Sequence, residues 1–444
     1  MNQDIFTSMP VRKAYMKLAI PVVMSMVITL VYNMVDTFFI ARTNNATLVA
    51  GVVLCSPIFT LMIAIGDILG LGGSSVISRQ FGMQKFERGQ KLSAFCFCGA
   101  IVEGLIVAAL LFALRTPVLH LLGADNDTLP YAMQYYSYLL LGAPFIILSF
   151  SPANILRTEG LAKESMFGTV LGAVINMILD PIFIFGLGLG AAGAAIATVI
   201  GYLCSDLFFL WVLLTKSQRL SARPKDVNVT RREILDILAI GIPASITNLM
   251  QSICVTLTNR TLLPYGTNSI AAMGIVMKVS MIATLILIGF AYGAQPLIGF
   301  NYGANNRKRL KEVLSFGYRF EIFTAPLFTA LLSLAAGPIL GVFMDDPEIV
   351  RLGVPMLRLQ QAGMIFMSIV LVTTCTFQAA GKALGAFLLS VNRQGILFMV
   401  VLLTASRFFG YYGILASQAV SDLLTAILAV VLYRVYMGDN KNIS

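Results

Sequence analysis

Ser165-Met-Phe-Gly-Thr-Val-Leu-Gly-Ala-Val-Ile-Asn176-Met-Ile-Leu-Asp180-Pro-Ile-Phe-Ile-Phe-Gly-Leu187 decides the fold. The stretch carries no basic residue and a single carboxylate, and as a helix rising about 1.5 Å per residue it crosses the ~30 Å hydrocarbon core of a bilayer. Eleven similar apolar blocks surround it, at 16–40, 49–71, 92–114, 131–154, 190–214, 235–258, 270–297, 313–342, 355–377, 384–404 and 408–435. The chain is 58% hydrophobic and 12% charged, about half the charged share of a soluble domain. No water-soluble core hides that much apolar surface. The expected fold is an all-α integral membrane protein of twelve transmembrane helices in two pseudo-symmetric six-helix bundles.

Charge placement sets the topology. With the N-terminus on the cytoplasmic side, the inward segments carry Arg12, Lys13, Lys17, Arg79, Lys85, Arg88, Lys91, Arg157 and Lys163. They also carry Lys216, Arg219, Arg223, Lys225, Arg231, Arg232, Arg307, Lys308, Arg309, Lys311, Lys382, Arg434 and Lys441, so that 22 of the 31 basic residues lie inside. The outward loops hold only Arg42, Arg115, Arg260, Arg351 and Arg407. This asymmetry predicts both termini in the cytoplasm and a multi-pass protein of the inner (plasma) membrane. It also removes the nucleic-acid reading of the +10 net charge, because the bases alternate between loops instead of forming a patch. The first block is too long for a signal-peptide core and is expected to remain as a helix.

The halves repeat. Gly72, Gly82, Pro117, Gly142, Phe145 and Gly160 recur 221 positions later as Gly293, Gly303, Pro338, Gly363, Phe366 and Gly381, and Pro21 recurs with a one-residue slip as Pro243. Six helices per half means that both repeats cross the bilayer in the same sense, a transporter pattern. The expected domains are an N-terminal bundle at 1–214, a basic cytoplasmic linker at 215–232 and a C-terminal bundle at 233–444.

Several strings carry little chemistry. Gly188-Leu-Gly190-Ala-Ala-Gly193 matches a dinucleotide fingerprint but lacks the strand–helix–strand context, and small residues there allow helices to pack closely. No phosphate-cradling Gly-x-x-x-x-Gly-Lys-Ser/Thr string exists, so energy is expected from an ion gradient or from the substrate's own gradient, with no cofactor. The six cysteines fall inside apolar blocks as small packing residues, not as a disulfide framework. With His120 the only histidine and no nucleophile–base cluster, an enzyme is not expected. The basic loop 82–91 resembles that of major facilitator transporters with its spacing shifted, which leaves that fold as an alternative.

Intramembrane carboxylates are the sharper signal, because each is costly unless paired, protonated or hydrated. They are Asp36, Asp67, Glu103, Asp180 and Asp206 in the first half, and Glu321 and Asp422 in the second. Asp67 and Asp206 could equally snorkel to water. Asp36 in the outer half of the first span and Asp180 at comparable depth in the fifth form the best pair. Asn176 shares a helix face with Asp180 one turn away, and Thr198 on the sixth span can reach the same level. Such oxygens suit Na⁺ (at Asp36, Asn176 and Asp180) or a shared proton, and equally a structural polar network.

Asn33-Met-Val-Asp36-Thr-Phe-Phe-Ile-Ala, Asn176-Met-Ile-Leu-Asp180-Pro-Ile-Phe-Ile-Phe and Gln295-Pro-Leu-Ile-Gly-Phe-Asn-Tyr-Gly303-Ala resemble the multidrug and toxic compound extrusion family, in particular its bacterial Mep-type branch. The resemblance implies an antiporter that exchanges Na⁺ or H⁺ for small amphipathic, typically cationic compounds. It adds Asn154 to Asp36, Asn176, Asp180 and Thr198 as cation or proton ligands. It also implies bending of the first helix at Pro21. Met273, Met277 and Met281, at one-turn spacing with Lys278 among them, could line a substrate cavity or pack against neighbouring helices. The intramembrane bases Lys278 and Arg393 keep a lipid-linked precursor flippase of related fold as an alternative. The chain is expected to act as a monomer in the lipid bilayer.

Overall fold

The structure, a computed structural model, describes residues 3–343 and 346–438; Lys441 of the inward basic set lies outside them. All regular structure among the described residues is helical. The long helices are α1 (Val11–Ala41), α2 (Ala46–Gly82), α3 (Phe86–Ala113), α4 (Leu129–Leu141 with Ala143–Glu159), α5 (Ala162–Gly186) and α6 (Gly190–Thr215). They continue as α7 (Arg231–Tyr265), α8 (Thr267–Gly303), α9 (Arg307–Leu334 with Ala336–Phe343) and α10 (Pro347–Ala362 with Met364–Ala380). The last apolar stretch, Ala383–Met437, is 55 residues long, about 80 Å as a helix and more than twice a bilayer core. It breaks at Gly410, whose φ of 56° and ψ of −132° are not helical, into α11 (383–409, itself interrupted by a turn at Gln394 and Gly395) and α12 (411–438). Among the described residues the count is twelve, as the apolar blocks predict.

The helices outrun the apolar blocks. α2 reaches Gly82 where the block ends at 71, because small buried residues such as Ser74, Ser75 and Ser78 continue its packing face beyond the greasy segment. The repeat is visible in the backbone. α4 bends by 52° at Gly142 and α10 by 41° at Gly363. The segments after those bends close on left-handed glycines, Gly160 with φ 86° and Gly381 with φ 74°, a conformation that costs glycine least. Before α4, Asp125 accepts from the Thr128 hydroxyl (2.7 Å) and amide (2.8 Å). These bonds hold its carboxyl below the usual range.

Two compact units form, and they are cut differently from the sequence halves. The first consists chiefly of Met24–Ser245, the second of Pro10–Val23, Ile246–Tyr302 and the chain from Asn306 onward. The first unit thus contains the opening turns of α7, and the second those of α1. Close backbone approaches explain the division. In the first unit a Cβ on Gly72 would lie 2.3 Å from the Ile237 carbonyl oxygen, and one on Gly241 2.1 Å from that of Ile68. In the second, a Cβ on Gly293 would lie 2.4 Å from Ala19 Cα. The basic segment after α6 is bound down in the first unit: Glu159 accepts from the Ser217 hydroxyl (2.6 Å) and from the Gln218 amide (2.8 Å). Arg88 pairs with Glu233 in the same unit. α1 runs as one helix through Pro21, which lies just before the Val23–Met24 junction of the two units.

Candidate cation site

The site lies wholly within the first unit, and its foundation is the contact of α5 with α6. A Cβ on Gly172 would sit 2.7 Å from the Gly201 carbonyl oxygen, and one on Gly201 2.7 Å from that of Gly172. Two glycines facing one another let the helix backbones touch. The Ser205 hydroxyl reinforces the contact by donating to the Gly168 carbonyl. This closeness sets Asn176 Nδ2 3.2 Å from Thr198 Oγ1, to which it donates. Thr198 spends its own proton on the Ala194 carbonyl at 3.0 Å. Asp180 follows Asn176 by one turn and is fully buried. Immediately beyond it, Pro181 leads into a π-helical turn, Ile182–Gly186, an irregularity frequent at functional sites.

α1 supplies the facing side. Asp36 interacts directly with Asp180, and Tyr32, one turn earlier, reaches Thr198. Tyr135 from α4 faces both carboxyls. The balance of donors and acceptors is lopsided. Asp36 Oδ1, Asn176 Oδ1 and both Asp180 oxygens are buried without a hydrogen-bond partner. Buried polar atoms are nearly always satisfied, and two carboxylates in low dielectric repel unless something positive sits between them. Four such acceptors in one cluster suit a bound cation or shared proton. No ion pair involves either aspartate among the described residues.

Of the five ligands expected, the structure brings four together and leaves one out. Asn154 donates to the Phe150 carbonyl at 2.8 Å, accepts from Arg157 and contacts Asp67 of α2. It stands near the end of the second segment of α4, and its amide is committed to that neighbouring cluster. Asp67 is partly exposed, with Arg157 and Asn154 beside it; Asp206 is 8% exposed and does not snorkel.

The remaining candidates lie in the second unit. Met273 is 3% exposed and belongs to an apolar cluster with Val276, Leu357 and Leu402, against which Met277 packs. Two of the three methionines therefore have packing roles, whereas Met281 is 44% exposed and Lys278 is exposed. Arg393 is engaged by Asp422 at 3.1 Å, which removes it from any free basic surface of the flippase kind. Glu321 is fully buried with both oxygens unpartnered.

The tyrosines were not among the expected ligands. Tyr32 stands one turn from Asp36, and Tyr202 one turn from Thr198, so the spacing that linked Asn176 to Asp180 could have found them. Tyr135 has no acidic or amide neighbour at helical spacing, and only the tertiary fold reveals it.

Comparison with known proteins bears on the family and the fold. A family model described as MatE matches residues 21–182 and 243–404, one copy in each half. The multidrug export protein MepA of Staphylococcus haemolyticus is 30% identical over 437 residues, covering 98% of this chain and 96% of that protein. MepA of Staphylococcus aureus is 29% identical over 432 residues, covering 96% and 94%. Among solved structures, a MATE in complex with MaL6 superposes with a TM-score of 0.94 at 23% identity over 99% of both chains. A MOP superfamily transporter from Pyrococcus furiosus gives 0.93 at 24% identity, covering 99% of this chain and 98% of that one. The match in both halves, over most of the chain, sets aside the major facilitator alternative and makes this protein a member of the MatE family, the multidrug and toxic compound extrusion transporters.

Proposed function

We propose that this protein is a secondary active antiporter that exports small amphipathic, chiefly cationic compounds in exchange for inward-moving H⁺ or Na⁺. The observation that carries the reading is the set of buried acceptors without donors at Asp36, Asn176 and Asp180. An ion drives a conformational cycle only through different affinities for its states. A pair of carboxyls split between α1 and α5 provides that difference, since separating the helices dismantles the site. Asp36, Asp180, Asn176 and Thr198 hold the ion, with Tyr32 and Tyr135 around it. Pro21, interrupting the hydrogen-bond ladder of α1, is the hinge of this cycle. Drug export by the MepA relatives supports the substrate class.

The test is ethidium transport by purified protein in liposomes under a proton gradient or a sodium gradient alone. One of the gradients is expected to drive uphill transport, and indifference to both would sink the reading.

The proposed orientation has both termini in the cytoplasm of a cell whose plasma membrane holds the protein. Cysteines placed at Lys225 and Lys308 should then react with an impermeant thiol reagent only from the cytoplasmic side, and one at Asn126 only from outside. Labelling of the Lys308 and Asn126 positions from the same side contradicts it.

A further inference from the structure

Asp206 is unused by the site as described, yet it is a buried membrane carboxylate with unfinished bonding. Its Oδ1 accepts from the Ser149 hydroxyl at 2.5 Å, and its Oδ2 is buried with no partner. No ion pair reaches it among the described residues. A lone charged carboxylate in this setting is costlier than a neutral one, which favours proton uptake by its anion.

Its position is informative. Thr198, Tyr202 and Asp206 follow one another at one-turn intervals down α6, so they share a face, with Asp206 about 12 Å further along the helix than Thr198. A cavity of about 110 Å³ runs beside that face, its wall mostly apolar and broken by hydroxyls, so water can be held only where those hydroxyls offer it partners. Tyr32, Asn176 and Thr198 line it next to the Asp36–Asp180 pair, and Tyr202, Ser205 and Ser149 line it toward Asp206. Tyr202 lies within electrostatic reach of Asp206 and Tyr135. The groups facing Asp206 are thus Tyr202 from its own helix and Ser149 from α4. From α5, which packs against the same stretch of α6, the cavity receives only Thr169, Gly172, Ala173 and Asn176, none of them charged.

We infer that Asp206 is a proton-accepting station inward of the Asp36–Asp180 pair, and that the hydroxyls of Thr198, Tyr202 and Ser149, set in the otherwise mostly apolar wall of the cavity between them, pass the proton. The inference rests on the antiport reading and specifies its ion as H⁺. Asp206, Ser149 and Tyr202 offer too few oxygens for the six or so that a bare metal cation takes, but they suffice for a proton. In the step, the O–H bond of the protonated pair breaks as one forms on Asp206, with hydroxyl and water oxygens exchanging protons along the way. The pair is left anionic and Asp206 neutral, and loss of the proton toward the cytoplasm returns Asp206 to its anion.

The experiment compares wild type, Asp206→Asn, Asp206→Glu, Ser149→Ala and Asp36→Asn in liposomes, reading ethidium transport against pH and ethidium binding to the purified proteins. Asp206→Asn is expected to bind ethidium as wild type does but to lose proton-driven transport at least tenfold. Asp206→Glu should restore most of that rate with a displaced pH profile, and Ser149→Ala should displace the profile while sparing binding. If Asp206→Asn does not fold, the Glu and Ser149 variants decide the question. Wild-type rates with an unmoved pH profile in Asp206→Glu and Ser149→Ala overturn the station, as does wild-type transport by Asp206→Asn. Transport driven by sodium alone overturns it and leaves the antiporter standing. A wild type indifferent to both gradients overturns both.

Discussion

Asp36→Asn and Asp180→Asn are each expected to reduce ion-driven ethidium efflux to the level of cells lacking the protein, at matched membrane abundance. Each substitution keeps the shape of the side chain and adds a donor where the cluster has an excess of acceptors. The folded state should therefore tolerate both and gain an internal hydrogen bond in place of an ion. What is lost is the charge that makes the loaded and empty states different, and a gradient then has nothing to act on. Ethidium binding to the purified variants should survive. Wild-type efflux in either variant would leave the two aspartates as structural polar contacts.

A second large effect is expected at the glycines where α5 meets α6. Gly172→Leu and Gly201→Leu each drive a side chain into the backbone of the opposite helix, since even a Cβ would stand 2.7 Å from a carbonyl oxygen at both positions. Backbone cannot move aside as a flexible side chain can, so the helices must separate. Overpacking of this kind costs about 1–3 kcal/mol, and separation also pulls Asn176 away from Thr198. Both variants should melt at lower temperature and lose efflux by more than the loss of folded protein explains. Gly274→Ala is the control, because nothing lies within 4 Å of the added Cβ and alanine favours the helix. Equal melting temperature and efflux in Gly172→Leu and wild type would refute the packing argument.

Much of the architecture was legible because membrane insertion writes it in composition. The twelve apolar blocks and the offset glycines and prolines emerge as twelve helices with matching bends at Gly142 and Gly363. Helix spacing puts Asn176 and Asp180 one turn apart, and both are buried on α5. Other features depend on side-chain contacts between distant segments, which no local pattern encodes. Asn154 satisfies its amide beside Asp67 and Arg157. Asp422 carries no mark in the sequence of its pairing with Arg393. The assignment of the opening turns of α1 and α7 to the two units follows from glycine contacts that the repeat marks but does not explain. Asp206 looked as suited to snorkelling as to burial, and only the fold set Ser149 against it.

The central claim is that Asp36 and Asp180 act as one site, and counting bound ions tests it directly. Purified wild type, Asp36→Asn and Asp180→Asn would be compared for ²²Na⁺ bound at equilibrium and for protons released on a pH jump in weak buffer. The account predicts that wild type holds a cation or proton that both variants lack entirely, each single substitution removing the whole of it. Retention of the wild-type count by either variant would contradict a shared site.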